Sequence, residues 1–184
     1  LYKKLTNMNP LHSFDQISKS KVPIVLIDSS GSTDSNYGDG DTIFTKMIRS
    51  FETIAIRDGH TTARVVYWAD RATTDRKVVQ IDGLSRVNKP INGGTTLSSG
   101  LKLITQDWFD DKSESNEVIY ILTDGEISNE ENELNKLMKQ LIEWTKNKIE
   151  LRIIVVENNN KDYNSTDCGA GNGIVTIMRK LNLS

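Results

Sequence analysis

Val22-Pro-Ile-Val-Leu-Ile-Asp-Ser-Ser-Gly-Ser32 is the stretch whose reading decides the fold. Its first six residues form a short apolar run rich in β-branched side chains, the pattern of a strand buried on both faces of a parallel sheet. Its last five place a carboxylate and then hydroxyls directly after that strand. In an open parallel sheet, ligands bind beyond the carboxyl ends of the strands, where the connections change direction. Asp28 therefore reaches that edge without any special folding of its loop.

Further apolar runs follow at intervals suited to a sheet: 63–68, a short one at 77–81 expected at an edge, 117–123 and 150–156. Helical spacing fills the gaps. Phe44, Met47, Ile48, Phe51, Ile54 and Ala55 share a face, with Asp41 as the expected cap and Asp58-Gly59 as the stop. Leu97, Leu101, Ile104 and Trp108 predict a second helix. Residue 129 to about 147 reads as the longest, with Leu134, Leu137, Met138, Leu141 and Ile142 as its stripe; 157–171 reads as a loop and 174–181 as a last helix. Strands alternating with helices predict an α/β fold with helices on both faces of the sheet. Residues 1–20 show no period and read as an N-terminal lead-in; residues 21–184 form one domain, which suits a chain of 184 residues.

The net charge of -2 gives no electrostatic reason for nucleic acid or an anionic membrane as a partner. No apolar run approaches a membrane span, and no signal-peptide core opens the chain. Because the chain starts at Leu1, it is expected to be a fragment of a longer protein. Cys168 stands alone, which excludes an intrachain disulfide or a cysteine-built zinc site and points to the reducing cytoplasm.

Two further clusters join the first: Gly93-Gly94-Thr95, and Thr123-Asp124-Gly125 directly after the 117–123 strand. Alternate residues of Asp28-x-Ser30-x-Ser32 can turn three oxygens to one point; Thr95 adds a hydroxyl and Asp124 a second carboxylate. An all-oxygen set suits a hard cation, Mg²⁺ first with Mn²⁺ or Ca²⁺ as substitutes, and not zinc or copper. With only two charged ligands the ion stays electrophilic, so one position is expected to take an Asp or Glu carboxylate from a partner protein. Each cluster alone is ordinary turn chemistry; three in order, each beside the right kind of element, are not.

Ile27-Asp-Ser-Ser-Gly-Ser32, Asn92-Gly-Gly-Thr95 and Leu122-Thr-Asp-Gly125 resemble the metal-ion-dependent adhesion site of the von Willebrand factor A domain family, over about residues 22–181. The resemblance implies a Rossmann-like three-layer sandwich whose mostly parallel central sheet carries one short antiparallel edge strand. It implies Ser30, Ser32 and Thr95 as hydroxyl ligands, with Asp28 and Asp124 acting directly or through water. It also implies Mg²⁺-supported binding of proteins without catalysis. The 81–93 connection is too short for the helix many extracellular members carry, which brings the chain nearer to intracellular relatives. The 33–40 loop is longer than the family's usual abrupt helix start and is expected to form a rim or lid.

Other features have plainer readings. Asp34, Asp39 and Asp41 lack calcium-loop spacing and read as solvated loop or cap. Asp70 lies on the same edge and reads as a loop residue. His12 and His60 are isolated, and Tyr67 and Trp68 read as core or rim. Three rival functions stand beside the adhesive one. A phosphoryl-transfer enzyme of haloacid dehalogenase type would use Asp28 as nucleophile, but needs a carboxylate where Ser30 stands. A serine hydrolase would use Ser30 or Ser32, but lacks the nucleophile-elbow pattern. A structural component of a larger assembly would need no working metal.

Overall fold

A computed structural model describes residues 21–128 and 130–156. The lead-in segment, His12, Asn129, Cys168, the 157–171 loop and the 174–181 helix lie outside the described residues. Fourteen elements follow in order. The strands are β1 (Ile24–Asp28), β2 (Asn36–Gly38), β3 (Asp41–Thr42), β4 (Thr62–Trp68), β5 (Ala72–Thr73), β6 (Val78–Gln80), β7 (Glu117–Thr123) and β8 (Ile149–Val155). The helices are α1 (Ile43–Arg57), α2 (Leu97–Leu101) and α3 (Glu131–Trp144), joined by 3-10 turns at Gly31–Asp34, Leu84–Arg86 and Gln106–Trp108.

The main sheet runs β5-β4-β1-β7-β8, with β6 also on β4. β1 pairs in parallel with β4 and with β7, and β7 in parallel with β8. From β1 the chain crosses through α1 to β4 on one side; β7 then joins β1 on the other. β1 is therefore the strand at which the direction of winding reverses. Its register sets Asp28 opposite Trp68, at the carboxyl end of the sheet.

Each face of the sheet carries its own core, because alternate residues of the buried strands point in opposite directions. Val25, Ile27, Tyr120 and Leu122 pack under Phe44, Met47, Ile48 and Phe51 of α1. On the other face, Leu26, Trp68 and Ile121 pack under Leu97 and Leu101 of α2 and Leu134, Met138 and Leu141 of α3. The result is the expected three-layer α/β sandwich, mostly parallel with an antiparallel edge. No described helix is long and apolar enough to cross a membrane.

Four details differ from expectation. The antiparallel edge is two short pieces, β5 against Tyr67 and Trp68 and β6 against Thr62 to Arg64, because the chain leaves the ladder between them. The α1 cap is Thr42, whose side chain accepts from Thr45 N; the Asp41 carboxylate instead takes Arg49. α2 stops at Leu101, and Trp108 belongs to a separate 3-10 turn after Thr105, whose backbone is extended. Ile104 and Trp108 are buried all the same. The 33–40 loop is a 3-10 turn leading into the small β2–β3 hairpin, which runs straight into α1.

Candidate metal centre

Three loops leave the carboxyl edge of the sheet, and hydrogen bonds tie them to one another in pairs. Gly31 N donates to Gly93 O (2.9 Å), joining the first loop to the second. Ser128 N donates to Thr95 O (2.8 Å), joining the second to the third. Thr123 Oγ1 donates to Asp28 Oδ2 (3.0 Å), joining the third to the first. Sequence neighbours cannot make such a closed set; only the β4-β1-β7 order brings the loops together.

Within this frame Asp28 is completely buried, and both carboxylate oxygens are engaged: Ser30 N donates to Oδ1 at 2.9 Å while Thr123 holds Oδ2. Burial pushes its pKa up from 3.8 to about 6, and the Asp124 carboxylate adds to the rise; the Ser30 and Thr123 hydrogen bonds oppose it. The Ser30 and Ser32 hydroxyls lie 3.0 Å apart. Asp124 is buried, with Oδ1 accepting from Glu126 N at 3.1 Å. Thr95 Oγ1 is paired with Ser128 Oγ at 3.2 Å.

Asp28, Ser30 and Ser32 are thus linked by hydrogen bonds, the Asp124 carboxylate is close enough to raise the Asp28 pKa, and Thr95 is fastened to the loop that follows Asp124. Among the described residues no group of three or more His, Cys, Asp or Glu gathers. The donors here are two carboxylates and three hydroxyls, oxygen throughout. Two like charges driven together out of water are costly unless a cation offsets them. That donor set fits a hard divalent ion, whose charge the two carboxylates balance without excess.

Some contacts that shape the site carried no signal in the sequence, those of Lys89 first among them. Lys89, nearly buried, donates to Ser30 O (2.6 Å) and to Asp34 Oδ1 (2.8 Å), and Asn92 Nδ2 donates to Asp34 Oδ2 (3.0 Å). Together they hold the first loop against the second. Asp34 is therefore an anchor, not merely solvated. Thr123 was legible as part of the third cluster but not as the partner of Asp28, and Ser128 carried no signal at all. Gly93 has φ +153, and a Cβ there would meet Asp70 Oδ1 at 2.3 Å; the glycine lets the second loop lie against Asp70.

No protein-family profile matches the sequence, and no curated protein matches it by sequence. Solved structures do match by shape. An aerotolerance-related membrane protein from Bacteroides fragilis, carrying multiple mutations to serines, is similar at TM-score 0.54 and 13% identity, over 86% of this chain and 88% of that one. The VWA domain of SpRpn10 is similar at TM-score 0.54 and 15% identity, over 76% and 77%. Manganese-loaded TRAP protein from Plasmodium vivax is similar at TM-score 0.50 and 14% identity, over 86% and 72%. With its switch-point strand β1, its antiparallel edge and these likenesses, the chain has the fold of a von Willebrand factor A domain.

Proposed function

We propose that this chain is a divalent-metal-dependent protein-interaction module. Asp28, Ser30, Ser32, Thr95 and Asp124 hold a Mg²⁺ ion, replaceable by Mn²⁺ or Ca²⁺, and the site accepts an Asp or Glu carboxylate from a partner protein. The observation that carries this reading is the triangle of hydrogen bonds that closes the three loops around the paired Asp28 and Asp124 carboxylates. One neighbour in shape is loaded with manganese, in keeping with a divalent ion on this fold. The ion supplies an electrophilic position for an anionic oxygen. The chain supplies the rest: Ser30 N and Thr123 Oγ1 orient Asp28, and the Lys89 contacts keep Ser30 and Ser32 in register with it.

The reading is non-enzymatic. A phosphoryl-transfer nucleophile must present a free oxygen to substrate, whereas both oxygens of Asp28 are buried and hydrogen-bonded. Ser30, two residues on, has no carboxylate to act as acid or base. Titration calorimetry with Mg²⁺ and Mn²⁺ tests the ligand set. The parent chain binds one ion, and Asp28→Ala and Thr95→Ala each weaken binding at least about tenfold, an amount on the order of one lost ligand or its outer-shell support. Binding equal to the parent in both variants contradicts the assignment.

A further inference from the structure

On the α1 face, at the outer margin of the core, lies an open groove of about 400 Å³ that the metal site does not use. Its origin is plain from the chain path. The connection after β6 carries only the 3-10 turn Leu84–Arg86 before it reaches Asn92, too little to cover the edge of the sheet. The edge itself is interrupted between β5 and β6, where Thr74 Oγ1 takes the Val65 carbonyl at 2.7 Å in place of a ladder bond. Val65, Tyr67, Val79 and Leu84 are left as an apolar floor, with Val87 and Pro90 as a wall. Val87 is 47% exposed, one of the few large apolar side chains so open to solvent.

The mouth of the groove has the opposite character. Asp75 and Asp82 both line it, and among the described residues neither forms an ion pair. Of the basic residues close in sequence, neither Lys77 nor Arg86 is ion-paired with Asp75 or Asp82 among the described residues. Lys89 is committed to Ser30 and Asp34. Burial and the nearby Asp75 push the Tyr67 phenol up to about 12, so it stays neutral. An apolar floor beneath two carboxylates that lack ion-pair partners disfavours acidic ligands and complements cationic, amphipathic ones.

We propose that this groove docks a segment of a partner protein in which an apolar side chain enters between Val79 and Val87 while an adjacent Lys or Arg meets Asp75 and Asp82. The volume, at the lower end of the range of binding pockets, suits one or two side chains and not a whole helix. The surface does not depend on the metal site.

The test uses the ¹⁵N-labelled full chain in EDTA, titrated with the peptides acetyl-Leu-Arg-Leu-amide and acetyl-Leu-Glu-Leu-amide. The arginine peptide shifts the amides of Val79, Gly83 and Val87 saturably, and the glutamate peptide does not. In the double variant Asp75→Asn, Asp82→Asn, binding weakens about three- to tenfold, as expected for two exposed charge pairs. Asparagine keeps the acceptor that Asp75 Oδ1 offers to Lys77 N, so the loop stays in place, and an unchanged melting temperature checks this. Equal binding of both peptides, shifts centred elsewhere, or no saturable shift overturns the proposal. A concentration-dependent dimer in sedimentation that Val87→Asp dissolves would give the face to a second copy, and overturns it too.

Discussion

Asp28 is held at an energetic cost, because burial disfavours its charge. A carboxylate with no exposure, its charge opposed by a second carboxylate, is stabilised there by hydrogen bonds from the Ser30 side chain and backbone and from Thr123. A shift from 3.8 to about 6 corresponds to roughly 2–3 kcal/mol of unfavourable charge at neutral pH in the metal-free chain. Asp28→Asn removes the charge while keeping an acceptor for Ser30 N. The metal-free variant therefore melts several degrees above the parent in EDTA, and the order reverses in millimolar Mg²⁺, which stabilises only the parent. Differential scanning calorimetry under both conditions checks this. At this scale the sequence was informative wherever a residue's place follows from its strand, as for Asp28 after β1 and Asp124 after β7. It was silent on Lys89, whose contact with Ser30 spans 59 positions and leaves no periodic trace.

Elements were legible where packing and pattern agree. β1, β4, β7 and β8 are apolar runs because both faces of the sheet are covered, and α1 and α3 show stripes because each has one wet side. α2 was misjudged in length for a physical reason: Leu97, Leu101, Ile104 and Trp108 keep helical spacing, but burial does not require a continuous helix to achieve it. β5, at two residues, is too short to show a pattern, and its pairing is decided by Tyr67 and Trp68 across the turn. Within α2, Gly100 sits where a Cβ would meet Trp68 Cβ at 3.0 Å and Leu26 Cδ2 at 3.2 Å. Neither neighbour can yield, since both are fully buried on central strands. Gly100→Ala should therefore destabilise the fold by about 1–2 kcal/mol, overpacking outweighing alanine's better helix propensity. Urea denaturation measures it, and an increase in stability would show that α2 can move off the sheet.

Across the whole molecule, the end away from the metal loops is fastened by a polar network. Arg152 on β8 pairs with Asp58 at the end of α1 and with Glu150, and donates to the Tyr120 hydroxyl on β7 at 2.9 Å. His60 stacks edge-on against Tyr120, with ring centroids 6.3 Å apart. Burial, aided by Arg152, lowers the His60 pKa from its ordinary 6.5. The unfolded chain takes up this proton more readily than the folded one, so the stability His60 contributes is present above pH 6.5 and is lost as pH falls through its folded value. In metal-free protein Asp28 acts in the opposite sense, its contribution growing as pH falls from about 6 towards 3.8. The clean observable is thus a difference: His60→Gln flattens the decline in melting temperature below pH 6.5 relative to the parent. A parallel decline in both would remove His60 from the acid response.

At the carboxyl edge, a fold organised around β1 ties three distant loops together, and the proposed metal site lies among their oxygens. Crystals grown or soaked with Mn²⁺ and measured at the manganese absorption edge address it directly. The account predicts a single strong anomalous peak among the side-chain oxygens of Asp28, Ser30, Ser32, Thr95 and Asp124. A map with no peak there, or with manganese bound only elsewhere on the chain, would contradict it.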